Sequence, residues 1–220
     1  MHRQLGRLAA LCLAALASLL APAALAQGAP PGRTVKLVAL GDSLSAGYGL
    51  PQEAAFPTVL ERELKKRGYK VEVANAGVSG DTSTGGLDRL DWSVPDGTDG
   101  VIVELGANDM LRGLDPAIPR KAIETIVTRL KGRGIGVMLA GMYASRNLGP
   151  DYVKAFDGLY PDIAREHGVM LYPFFLDGIA GDRALNLPDG MHPTAKGIEV
   201  IVERILPTVE AFIKGLPARG

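Results

Sequence analysis

The sequence predicts an α/β fold built on a parallel sheet covered on both faces, and three observations carry that prediction. Short runs rich in β-branched residues alternate with amphipathic helical stripes. The runs are apolar at successive positions instead of every second one, and polar, often glycine-containing segments follow most of them. Continuous apolar runs mark strands buried from both sides, and strand and helix alternation implies parallel strands joined by crossover helices.

Residues 34–40, 69–74, 101–105, 135–140 and 169–172 are the five predicted strands. Between them, Phe56, Val59, Leu60 and Leu64 form a helical stripe ended by Lys65, Lys66, Arg67 and Gly68. Basic side chains suit a helix C-terminus, and glycine suits the turn that follows. A second stripe comprises Ile123, Ile126, Val127 and Leu130, and a third Phe156, Leu159, Tyr160 and Ile163. The last runs through Ile198, Ile201, Val202, Ile205, Val209 and Phe212, with a bend expected at Pro207. A chain of 220 residues suits one domain, and no internal repeat or second domain boundary is visible.

Residues 1–26 read differently. Arg3 and Arg7 precede an apolar stretch over residues 8–26 that closes on Ala24-Leu25-Ala26 before Gln27. This is the pattern of a secretory signal peptide cleaved after Ala26. It predicts a linker over residues 27–33, a domain over 34–220, no stable membrane span after cleavage, and a periplasmic or secreted location. The single cysteine, Cys12, lies in the leader, and only His167 and His192 lie outside it among the three histidines. The mature chain therefore lacks a thiol nucleophile, a disulfide and the clusters that hold zinc, so no cofactor or metal is expected. With 24 basic and 24 acidic residues and no basic run, nucleic acid is not an expected partner; a monomer is expected.

Ligands of such sheets bind beyond the carboxyl ends of the strands. Gly41-Asp42-Ser43 follows the first strand, "NAGVSGDTSTGG" the second, and Gly106-Ala107-Asn108-Asp109 the third; a longer loop after the fifth reaches Asp189-Gly190-Met191-His192-Pro193. A serine hydroxyl becomes a nucleophile only when an oriented base takes its proton. His192 is the better candidate base, because Asp189 lies three residues earlier, within reach of Nδ1 across a turn. Pro193 disfavours helix at His192, and Thr194 can cap the helix beyond. His167, ending a helix before Gly168, fits an exposed C-terminal position instead. Backbone N–H groups of Ser43 and of a glycine in "NAGVSG", with the Asn108 side chain, are candidate donors to the oxygen of an attacked acyl group.

Each segment alone also reads as ordinary structure. "GDS" is a common turn, "DGMHP" a loop before a capped helix, and Asn108-Asp109 a helix cap before Met110. The glycine-rich segment lacks the Gly-Lys-Ser/Thr ending of a phosphate-binding loop. Four such segments in order at four strand exits argue for acyl-transfer chemistry.

The four segments resemble the blocks of the SGNH, or GDSL, hydrolase family: Ser43 in "GDSLS", Gly80 in "NAGVSGDT", Asn108 in "GAND" and His192 in "DGMHP", over about residues 35–197. The resemblance implies a three-layer α/β/α sandwich with a five-stranded parallel, flavodoxin-like sheet. It implies Ser43 as nucleophile and oxyanion donor, Gly80 rather than Gly77 as a second donor, and Asn108 as a third. Asp189 would orient His192, which acts as general base and then acid. "LGDSLSAGYG", "VSGDTSTGGLDRL" and "VELGANDMLRG" look most like the exported bacterial thioesterase, lysophospholipase and arylesterase branch, which implies acyl esters or thioesters, lysophospholipids among them, as substrates. In that branch, the segment matching "GMYASRNLGPDYVKAF" carries a mobile substrate loop.

Met110, Leu111 and Leu114 after Asn108, with Met142, Tyr143 and Leu148 after the fourth strand, are the candidate lining of an apolar trough; ordinary loop packing explains them equally well. Two other functions fit the same fold. A carbohydrate O-deacetylase would want stacking aromatics, of which 5% and a single tryptophan, Trp92, are present. An exported binding protein would tolerate a missing catalytic residue, and none is missing.

Overall fold

In the computed structural model, residues 33–217 are described; the expected signal peptide and all but the last residue of the expected linker lie outside the described residues. Five strands, β1 (Val35–Gly41), β2 (Val71–Gly77), β3 (Gly100–Glu104), β4 (Gly136–Ala140) and β5 (Met170–Tyr172), form one parallel sheet in the order β2-β1-β3-β4-β5. This is the flavodoxin-like order. All of β3 is buried, as is all of β1 except Lys36, as expected of strands covered on both faces.

Among the described residues, eight α-helices accompany the sheet: α1 (Ser43–Ala46), α2 (Phe56–Lys66), α3 (Ser83–Asp88), α4 (Leu90–Ser93), α5 (Ala107–Leu111), α6 (Ala117–Gly132), α7 (Pro150–His167) and α8 (Ala195–Lys214). α2 packs against β2 and α8, while α6 packs against α3, α7 and β4, which completes the three layers. The four sequence stripes are the buried faces of α2, α6, α7 and α8. Full burial of one such aliphatic or aromatic side chain contributes about 1.5–3 kcal/mol. Among the described residues no helix is long and apolar enough to cross a membrane.

One strand bound is corrected. β2 continues three residues beyond residue 74, to Gly77, because its ladder with β1 extends to the Gly41–Gly77 pair; pairing, not apolarity, carries an edge strand through exposed Asn75. Helix α8 runs through Pro207 without ending, its buried residues continuing to Val209, Phe212 and Ile213. Apolar burial on both sides of the proline holds the helix across the missing hydrogen bond.

Candidate active site

The parallel register places Gly77, Gly41 and Glu104 in one row across the carboxyl ends of β2, β1 and β3. The chain passes outward from β1 to β2 and then crosses to β3 on the other side of β1. The crevice of an open α/β sheet forms at such a reversal. Ser43 follows β1 and Asn108 follows β3, one on each side of it.

Asp42 caps α1: its Oδ1 accepts from Leu44 N at 3.0 Å, which starts the helix at half-buried Ser43. Across the crevice, His192 Nε2 lies 2.9 Å from Ser43 Oγ, and His192 Nδ1 lies 2.7 Å from Asp189 Oδ2. The other Asp189 oxygen accepts from the backbone N–H groups of Met191 at 2.9 Å and His192 at 3.0 Å. The His192 backbone N–H is the first cause holding the Asp189 carboxyl down at about 2, helped by Met191 N–H and the imidazole. The loop is pinned by the Asn186–Pro193 bridge, by Leu187 N donating to His192 O at 2.7 Å, and by Thr194, whose Oγ1 caps α8 through Gly197 N at 3.1 Å. This hydrogen-bonded line can carry a proton from hydroxyl to imidazole while a fixed carboxylate supports the resulting positive charge.

The sequence-predicted donors occupy the same edge. Neither the Ser43 nor the Gly80 backbone N–H is used by another hydrogen bond among the described residues. Asn108 sits inside α5, not at its cap, and one Nδ2 hydrogen goes to Asp42 Oδ2 at 2.9 Å; an amide carries two, so the second is available. The two glycines after β2 differ physically. A β-carbon on Gly77 would collide with Ala46 N and crowd the Asp42 carbonyl, so Gly77 is the close-packing residue between β2 and α1. Gly80 has open space around it and a φ of 84°, a left-handed conformation natural to glycine.

A second, buried layer lies beneath Ser43. Ser45 Oγ donates to Glu104 Oε2 at 2.9 Å, and the Asp42 backbone N–H reaches the same oxygen at 3.4 Å. Glu104 Oε1 is buried without a hydrogen-bond partner. Burial, reinforced by the Asp42 carboxyl, pushes the Glu104 carboxyl well above the usual range. Burial likewise lifts Asp42 to about 6, against the hydrogen bonds from Leu44 and Asn108.

Sequence reasoning missed several supports. The Tyr48 ring lies over His192 with centroids 4.4 Å apart; its signal was its place in "GDSLSAGYG". Asn186 Nδ2 donates to the Ile179 and Asp182 carbonyls at 2.7 and 2.8 Å and anchors the His192 loop; no local pattern announces it. Arg89, only 6% exposed, grips both loops that flank Ser43.

The six candidate lining residues divide. Met110 and Met142 are core residues, 8% and 4% exposed, which corrects their reading as trough surface: the elements that follow β3 and β4 turn them inward. Leu111 and Tyr143 are exposed, Tyr143 stacking on Phe174 with centroids 4.7 Å apart. Leu114 and Leu148 are half-buried. His167 ends α7 with its carbonyl held by Lys131, away from this edge. Among the described residues no group of three histidine, cysteine or acidic side chains gathers to hold a metal.

Known proteins resemble the chain over most of its length. The model of the "GDSL-like Lipase/Acylhydrolase family" matches residues 39–200. The chain is 35% identical over 178 residues to Esterase TesA of Pseudomonas aeruginosa, covering 80% of this chain and 89% of that one. It is 37% identical over 158 residues to Thioesterase 1/protease 1/lysophospholipase L1 of Escherichia coli K12, covering 71% and 74%. Among solved structures, AlinE4, described as an SGNH-hydrolase family esterase, superposes with a TM-score of 0.70 at 43% identity, covering 85% of this chain and 99% of that one. A match running from β1 into α8, with relatives this similar over most of both chains, places the chain in the GDSL-like lipase/acylhydrolase family.

Proposed function

We propose that this chain is an exported serine esterase that hydrolyses acyl esters and thioesters through a Ser43–His192–Asp189 triad and an acyl-enzyme intermediate. The observation that carries the reading is the unbroken line of hydrogen bonds, 2.7 Å from Asp189 to His192 and 2.9 Å from His192 to Ser43. His192 Nε2 takes the Ser43 proton as Oγ attacks the acyl carbon. Asp189 holds the ring in the tautomer that presents Nε2 as acceptor and stabilises the imidazolium. The N–H groups of Ser43 and Gly80 and the amide of Asn108 receive the developing oxyanion, each such donor lowering the barrier by about 3 kcal/mol when preorganised. His192 then protonates the leaving alcohol or thiol, and the cycle repeats with water attacking the acyl-enzyme.

The substrate proposed is a medium or long acyl chain on a lysophospholipid, thioester, or aryl or alkyl ester. Its support is the set of relatives whose names include esterase, thioesterase and lysophospholipase activities, with exposed Leu111 and Tyr143 as apolar surface for the chain. Export rests on the leader pattern of residues 1–26, and a protein outside the cytoplasm meets lysophospholipids and exogenous esters rather than acyl-CoA.

The test is covalent labelling by a fluorophosphonate, with side-by-side hydrolysis of acyl-CoA, lysophosphatidyl and p-nitrophenyl substrates of graded chain length. Labelling of the wild type but not of Ser43→Ala, with turnover of long-chain substrates, is expected. No labelling at neutral pH overturns the mechanism; acetate release from acetylated polysaccharide without long-chain turnover replaces the substrate class.

A further inference from the structure

Two arginines that take no part in the proposed proton transfer converge on the peptide segment bearing Gly80. Arg89 is buried at the junction where α3 ends and α4 begins. Its Nε donates to Asp81 Oδ2 at 2.6 Å, one Nη to Ala76 O at 2.7 Å and Ser93 Oγ at 2.9 Å, and the other Nη to Gly41 O at 2.8 Å. One planar guanidinium therefore ties the end of β1, one residue before Asp42, to the end of β2 and to the residue after Gly80. Val78 N donates to the same Gly41 carbonyl at 3.0 Å, so the β2 exit loop is sewn to the β1 exit at two points. From the opposite side, Arg112, which follows α5 and the Asn108 it carries, donates to the Gly80 carbonyl at 2.7 Å.

We propose that Arg89 and Arg112 are positioning residues for acyl transfer, holding the Gly80 turn through the Asp81 side chain and the Gly80 carbonyl so that the N–H of the adjoining Ser79–Gly80 peptide stays aligned with Ser43 and Asn108. The inference rests on the reading of Gly80 as an oxyanion donor. The local backbone fixes only the turn itself, in which Asp81 N donates to Val78 O at 3.1 Å with Gly80 at φ 84° and open space around it; the arginines tie that turn to the exits of β1 and β3. The clamp needs the fork of guanidinium. Five donors in a plane reach several acceptors from one position, whereas a lysine ammonium offers a compact charge on a flexible stem. All four Arg89 contacts lie at the carboxyl edge of the sheet or on the helix turn beside it, and none reaches the apolar interior.

The test compares Arg89→Lys and the exposed Arg112→Met with wild type, using kcat and KM on a p-nitrophenyl ester, the rate of fluorophosphonate labelling, and thermal melting. Leu130→Ala, a core substitution far from the edge, serves as a control for lost stability. The expected result is a fall in kcat of about 10-fold or more for Arg89→Lys and about 5-fold for Arg112→Met, with KM within about 2-fold, since misplacing a group that stabilises the transition state lowers kcat selectively. Labelling rates should fall in parallel, and Leu130→Ala should lose melting temperature while keeping kcat. Unchanged kcat in both arginine variants overturns the inference, as does a rise in KM alone, which makes Arg112 a substrate contact. If the wild type itself fails to label, the esterase reading has failed instead.

Discussion

Asn108 donates its side-chain N–H to Asp42 at 2.9 Å, so the amide beyond β3 is oriented by the residue that joins β1 to Ser43. Asp42 also caps α1, lies over buried Glu104, and feels the charge of His192. One buried carboxylate thereby links the helix of the proposed nucleophile, Ser43, to the proposed oxyanion donor Asn108. Asp42→Asn removes the charge and keeps one acceptor oxygen, which serves Leu44 or Asn108 but not both. A hydrogen bond to an ionised acceptor is roughly twice as strong as a neutral one, and the charge also supports imidazolium. Turnover should fall about 10-fold with little change in KM, as read from steady-state kinetics; wild-type turnover would remove Asp42 from the site.

The same substitution should make stability depend less on pH. Burial raises the Asp42 carboxyl from 3.8 to about 6 in the folded state. Between those values the folded chain binds more protons than the unfolded chain, so this group's stabilisation is complete below pH 3.8 and is lost as pH rises through about 6. The difference amounts to about 3 kcal/mol. Asp42→Asn should flatten that part of the stability-against-pH curve. Parallel wild-type and variant curves from pH 4 to 8 would contradict this.

Asp189 behaves in the opposite sense. Its folded-state value is lowered to about 2, so its stabilising contribution is present above 3.8 and lost as pH falls toward 2. Asp189→Asn should cost on the order of 10⁴-fold in kcat while the fold survives, because the amide no longer selects the reactive imidazole tautomer. Circular dichroism and kinetics together check it, and near-normal turnover in a folded variant would take Asp189 out of the triad.

The two glycines after β2 should respond differently to alanine. Gly77→Ala drives a methyl into Ala46 and the Asp42 carbonyl, an overpacking that costs about 1–3 kcal/mol. Displacing Asp42 and Ser43 should also cut turnover by up to about 100-fold. Gly80→Ala meets nothing, and its cost is the left-handed backbone alone, about 1–2 kcal/mol. Thermal melts and kcat for both variants decide; equal effects on kcat would refute the distinction.

Tyr160 donates from the core to the Leu105 carbonyl at 2.8 Å, one residue past the row that Glu104 closes. Tyr160→Phe leaves that carbonyl buried without a donor, at about 1–3 kcal/mol. At about 2–4 °C per kcal/mol for a domain of this size, a fall of several degrees in melting temperature is expected, and an unchanged Tm would argue that the carbonyl finds another donor.

Local order along the chain determined a great deal. Apolar runs and helical stripes placed five strands and the four long helices, because burial on both faces leaves a periodicity that can be read directly. The Asp189 and His192 pair was also legible, since three residues across a turn set their contact. Tertiary structure decided everything that depends on strand order and register. Ser43 and His192 lie 149 residues apart and Asn108 lies 66 from Asp42; they meet because β1 and β3 end level at a switch point. The reach of β2 to Gly77, the inward turn of Met110 and Met142, and the Arg89 contacts to residues 13 and 48 positions away likewise come from packing. The residue types with the right chemistry were written in sequence, but the few ångströms between them were set by which strand hydrogen-bonds to which.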